Sequence, residues 1–112
     1  MNKIAIIYTS IDSQEAAQKL ATKAVARKHA VCVNIIPGVL SIYAWKEMVE
    51  HTTEWLMIFK TDTSHIVDLR DMIQKEHPYS TPAILEGVVN TSSEYFDFVN
   101  TYNTISKTKS DE

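Results

Sequence analysis

The sequence predicts an α+β fold: a one-domain, ferredoxin-like sandwich in the split order strand, helix, strand, strand, helix, strand, closed by a short C-terminal helix. Three observations carry this reading. Four runs rich in Val, Ile and aromatic residues alternate with stretches whose apolar residues recur at helical spacing. One of those runs, residues 30–45 (AVCVNIIPGVLSIYAW), is unusually long and is broken only at Pro37–Gly38, the signature of a strand with a bend or bulge. The next apolar run follows after a short polar stretch, so the two pair as an antiparallel hairpin longer than a 112-residue domain needs.

Taken in order, residues 3–8 (KIAIIY) form a first, buried strand. Asp12 with Glu15 three residues on has the form of a capping box, and it opens a helix over residues 13–28. Ala16, Leu20 and Ala24 fall on one line of that helix, with Ala17, Ala21 and Val25 beside them, so it lies close on a sheet. Lys19, Lys23, Arg27 and Lys28 make its other side basic and solvated. The long strand continues towards Met48, residues 49–53 (VEHTT) turn the chain, and residues 54–60 (EWLMIFK) return. Residues 61–64 (TDTS) cap a second helix reaching about Glu76, with Ile66, Leu69, Met72 and Ile73 as its apolar stripe. His77–Pro78 stops it, because a residue before proline is pushed out of the helical region. A fourth strand spans 83–89, and Tyr95, Phe96, Val99 and Tyr102 space a short helix over 93–102. The domain therefore covers 1–103, with 104–112 a polar tail expected to be disordered. Two helices cover one face of such a sheet. The other face carries many apolar residues, so burial against further copies of the chain is expected.

Composition narrows the classes. The net charge of −3 offers no general attraction for nucleic acid or an anionic membrane. No apolar run approaches the ~20 residues that span a bilayer, and the N-terminal run has no cleavage-site pattern behind it. The single cysteine, Cys32, excludes an internal disulfide and fits a reducing, cytoplasmic setting.

The chemistry is defined as much by what is missing. With glycine only at 38 and 87, neither a Walker loop nor a dinucleotide fingerprint is possible. There is no Gly-x-Ser-x-Gly, Cys-x-x-Cys or His-Glu-x-x-His, and His29, His51, His65 and His77 share no ligand spacing. A nucleophilic triad cannot be built by motif. Cys32 has two readings: a small hydrophobe on a core strand, or a thiolate ligand for a soft ion such as Cu(I), helped by a Met or His nearby in the fold or across a subunit boundary. Trp45 and Trp55 sit on the two strands of the hairpin as cross-strand or interface anchors. His77 and Tyr79 flank Pro78 either in an exposed functional loop or as a helix stop with a packed tyrosine. Lys60 and Glu54 bracket the third strand, solvated, paired with each other's neighbours, or lining a cleft.

Three blocks give the chain a family resemblance: residues 32–43 (CVNIIPGVLSIY) followed by Trp45, residues 54–61 (EWLMIFKT), and residues 77–82 (HPYSTP). Together they resemble the CutA-type divalent-cation tolerance proteins. The resemblance implies a homotrimer held by its long hairpins and sheet edges. It also implies a non-enzymatic role in tolerance of divalent cations, copper above all, through metal binding. It points to Cys32 and His77 as metal ligands, and to Asn34, Trp45, Lys60, Thr61 and Tyr79 as residues of a cleft between subunits. Two departures stand out: Glu47 occupies the glycine position of the family's Trp-x-Gly, and Ala83 follows Pro82 where a glutamate is common. The alternative is a non-catalytic signalling or adaptor trimer that takes a small ligand or a protein partner in those clefts. A fold-sharing hydrolase ranks last, since no Arg-bearing phosphate loop follows the first strand.

Overall fold

The structure, a computed structural model, describes residues 2–110, with side chains through Asn103. Its elements are β1 (Lys3–Ile11), α1 (Gln14–Ala26), β2 (Cys32–Trp45), β3 (Met48–Thr61), α2 (Ile66–Glu76), β4 (Leu85–Asn90) and α3 (Ser93–Ser110), with one 3-10 turn (Thr63–His65) before α2. The strands form one antiparallel sheet in the order β2-β3-β1-β4, as the split βαβ arrangement requires.

Alternation along the strands separates two faces. Ile7, Ile11, Met57 and Phe59 point to one of them, where α1 supplies Ala17, Leu20 and Ala24 and α2 supplies Leu69, Met72 and Ile73. The alanines let α1 lie close to the sheet, as its spacing predicts. The basic side of α1 does more than face water: Lys23 and Arg27 reach Glu76 at 2.8 and 2.5 Å and join the two helices.

Several boundaries differ from expectation. The α1 cap is Ser13, not Asp12: Ser13 has an extended backbone and its Oγ accepts the Ala16 N–H at 3.0 Å. The helix stops at Ala26 because Lys28 adopts φ +65°, allowing the His29 N–H to reach the Ala24 carbonyl at 2.9 Å in a Schellman motif. The hairpin turn falls at Lys46–Glu47, with φ of +48° and +67°, rather than over residues 49–53. Two consecutive left-handed residues give a type I′ turn, whose twist matches the strands, while Val49, Thr52 and Thr53 are β-branched and stay extended. β4 begins at Leu85 instead of 83. α3 runs beyond the helix expected over 93–102. The tail expected over 104–112 lies beyond the described side chains, and residues 111–112 lie outside the described residues.

The second face is not left bare at its far end. Ile4 and Val99 are buried apart from the main core, and the Lys60 ammonium lies 5.8 Å from the Tyr95 ring centroid, so α3 packs there. Its anchor is Asn103. The Asn103 amide donates to Thr61 Oγ1 at 2.8 Å and to Asp62 Oδ1 at 2.6 Å. Asp62 also accepts from the Ser64 amide and hydroxyl and pairs with His65 Nδ1. Burial works to raise the Asp62 carboxyl, but these hydrogen bonds outweigh it and hold it below its ordinary value.

Candidate functional site

The site is prepared by the Pro37–Gly38 break. Ile36 pairs with Leu56 and Val39 with Glu54, so β2 carries one more residue than β3 across this step, with Gly38 at φ +71°. A residue inserted into a period-two pattern exchanges the faces. Before the bulge, Cys32, Asn34 and Ile36 share the second face with Lys60, Ile58 and Leu56. Beyond it, Ser41, Tyr43 and Trp45 take that face, opposite Thr52, Glu50 and Met48. The bulge thus puts two aromatic rings beside the polar row Glu50, Thr52, Glu54.

The loop after α2 closes the other side. His77 Nε2–H donates to the Ser10 carbonyl at 2.9 Å, and His77 Nδ1 accepts the Tyr79 N–H at 3.1 Å. The rings of His77 and Tyr79 lie 4.7 Å apart. Pro78 and this pair of bonds aim the Tyr79 hydroxyl at the hairpin, where it donates to Glu54 Oε2 at 2.6 Å. The result is a cleft of about 830 Å³ between hairpin and loop, lined by Ser10, Asp12, Ser41, Tyr43, Trp45, Glu50, Thr52, Glu54, Tyr79, Ser80, Thr81 and Ala83.

Its electrostatics are one-sided. Burial tends to raise Glu54, but hydrogen bonds from Ser41, Tyr79 and Ser10 prevail and keep the carboxyl below its ordinary value, hence ionised at neutral pH. Burial and the Glu54 carboxylate push the Tyr79 phenol well up, so it stays a donor. Burial lowers His77, only partly offset by Ser10, Asp12 and Glu54, which leaves the imidazole neutral. The lining holds three carboxylates and no Lys, Arg or His. It presents carboxylate acceptors, hydroxyls and aromatic faces.

Within one chain, the residues expected in a cleft between subunits fall in two places. Trp45 and Tyr79 line the cleft just described. Cys32, Asn34, Lys60 and Thr61 sit at the opposite end of the sheet, where Cys32 pairs with Lys60. Lys60 lies six positions along β3 from Glu54, roughly 20 Å. Thr61 is fully buried on the helix side, its hydroxyl taken by Asn103. Cys32 is half-buried, not a core hydrophobe, with its thiol 4.0 Å from the exposed Asn34 side chain.

Cys32 and His77 do not form a metal site within one chain. Both His77 ring nitrogens are engaged, and its contact at Ser10 lies level with Leu56, four residues or about 13 Å from the Cys32–Lys60 pair. Among the described residues no group of three His, Cys, Asp or Glu side chains is placed to hold a metal ion. Trp55 turns to the core rather than to the cleft. Asp12, Glu50 and the hydroxyls of Ser10, Ser41 and Thr52 were missed in the sequence. The alternation Glu50, Thr52, Glu54 was the available signal, since a polar residue at every second strand position marks a wet face.

The match to the CutA1 family model, "CutA1 divalent ion tolerance protein", covers residues 5–102. The chain belongs to the CutA1 family. It is 36% identical over 96 residues to a Salmonella newport protein named divalent-cation tolerance protein CutA, covering 85% of this chain and 84% of that one. It is 33% identical over 95 residues to an Arabidopsis thaliana protein named "Protein CutA, chloroplastic"; that covers 84% of this chain but only 52% of the plant relative, about half its length. A solved structure from Archaeoglobus fulgidus, described as a periplasmic divalent cation tolerance protein CutA, superposes with a TM-score of 0.84 at 31% identity, covering 89% of this chain and 98% of that one. The compartments in those names differ, and no helix among the described residues is long and apolar enough to cross a membrane. Against the family pattern, the Glu47 departure acquires a physical meaning: a side chain occupies a left-handed turn position that suits glycine.

Proposed function

We propose that the protein acts as a cytoplasmic homotrimer that binds a divalent cation, copper foremost, in a tolerance or response role without catalysis. The family match carries the cation. The trimer is supported by the hairpin, on which Leu40, Ile42, Met48 and Val49 are each more than half exposed in the single chain. Apolar surface of that extent is costly in water and calls for a partner. Because one chain gathers no metal-binding cluster among its described residues, the ligands must converge from several copies. Cys32, half-exposed near the start of an edge strand, is this chain's soft ligand for such a site. Native mass spectrometry with Cu(I) under reducing conditions tests this. A trimer taking up a fixed small number of copper ions, lost in Cys32→Ser, is the expected result; a trimer that takes up none overturns it.

One observation favours a second reading, a non-catalytic carrier or adaptor that takes a small ligand or a protein partner. The cleft at Tyr79 is formed, polar at its floor and aromatic at its mouth, and lies far from Cys32.

A further inference from the structure

We infer that the cleft between the hairpin and the loop after α2 is a site for a small organic cation, an ammonium group carried on an apolar body. The inference rests on the carrier reading and not on the metal reading. Charge and shape both point this way. Asp12, Glu50 and Glu54 line the cleft with no cationic side chain among them, and the ion pairs of the described residues use none of the three. Glu54 is only 6% exposed, yet hydrogen bonds keep it charged, so its negative charge is fixed in a poorly solvated floor. A buried anion with donors but no counter-charge favours a cation entering from solvent.

The mouth of the cleft supplies the other half of the recognition. Tyr43 and Trp45 stand on one strand at i and i+2, hence on the same side, facing the Glu50–Glu54 row. Trp45 already attracts a cation from its own chain: Lys46 Nζ lies 5.7 Å from the ring centroid. Aromatic faces bind ammonium groups through their quadrupole, most strongly where water is excluded. A hydrated divalent ion would gain little from these rings, whereas an alkylammonium uses carboxylates and rings together. The volume of about 830 Å³ admits a small molecule.

The test is a titration of the intact assembly with n-hexylammonium, n-hexanol and hexanoate, which share an apolar body and differ in charge. The Trp45 indole and Tyr79 amide resonances report occupancy. Expected is saturable binding of hexylammonium that shifts both signals, at least tenfold tighter than hexanol, with hexanoate excluded. Glu50→Gln, on the half-exposed wall, weakens hexylammonium about tenfold, and Trp45→Leu weakens it about threefold or more. Should Glu54→Gln disturb folding, Glu50→Gln alone keeps the test decisive. Cys32→Ser leaves hexylammonium binding unchanged. Equal binding of hexanol, or preference for hexanoate, overturns the cation while leaving a ligand cleft. No response of either signal to any of the three probes means the cleft is closed in the assembly, and both the inference and the carrier reading fall.

Discussion

The two halves of the β2–β3 hairpin are built from the same residue types and meet opposite fates. Near its base, Val33 and Ile35 pair with Phe59 and Met57, and that pair of β3 residues is fully buried under α1 and α2. Past the bulge, Leu40 and Ile42 are 63% and 68% exposed, and Val49 is 78% exposed. Strand propensity and alternation are alike in both halves. What differs is cover: α1 has 13 residues, about 20 Å of helix, and the 14-residue strands run on past it. The base is a core and the tip is an interface waiting for a partner.

The largest test of that contrast is a pair of truncations. Phe59→Ala at the base removes a fully buried ring and is expected to cost about 3–5 kcal/mol in denaturant unfolding. Ile42→Ala at the tip leaves the unfolding of the separated chain within about 0.5 kcal/mol and instead loosens the assembly, read by sedimentation at decreasing concentration. Equal effects on folding would erase the distinction.

Next is the anchor of α3 at the covered end. Asn103→Ala leaves Thr61 and Asp62 short of a donor in a buried place and should cost about 2 kcal/mol. It also changes the acid limb. Asp62 is held below its unfolded value of 3.8, so the stability it contributes is present above that value and lost as pH falls through the folded one. Asn103→Ala moves the folded value back up and shrinks this contribution, so the variant's deficit is largest at neutral pH and narrows on acidification.

At the cleft, Tyr79→Phe removes a hydrogen bond to a charged acceptor and should cost about 1.5 kcal/mol. Glu54 then titrates higher, because one of the bonds that overcome its burial is gone. Carbon-detected titration of the Glu54 carboxyl reads the change, and no upward move would mean the Tyr79 bond is immaterial to its charge. The smallest effect belongs to the tip: Glu47→Gly relieves a left-handed residue at φ +67° and should raise stability by about 1 kcal/mol, visible as a higher melting temperature.

Much of this molecule was legible in the chain. Periodicity placed every strand and helix in order, because burying one face of each element is dictated by which side chains are apolar. Pro37–Gly38 announced the bulge, and His77–Pro78 the end of α2. The site was legible only in fragments. The sequence singles out Trp45 and Tyr79 and leaves Glu54 solvated, paired or cleft-lining. Their meeting depends on a face exchange of one residue at the bulge and on a loop tied to Ser10 by a histidine 67 residues away. Pro37–Gly38 marks the bulge itself, but neither the face exchange it causes nor the distant partner of His77 leaves a mark on local composition.

Boundaries failed where two residues offered the same chemistry. Asp12 and Ser13 both cap helices, and the backbone geometry selected Ser13. The chain reversed at Lys46–Glu47 although neither residue advertises a turn, because the strands' twist favours two left-handed residues there. What the sequence alone determined was which surfaces must be buried and in what order the elements follow, since transfer from water depends on side-chain identity. The tertiary structure alone sets Cys32 and His77 apart within one chain, engages both His77 nitrogens, and brings three carboxylates to one cleft whose lining holds no cation. Distance and hydrogen-bond partnership are properties of register and packing, fixed when the sheet closes and not before.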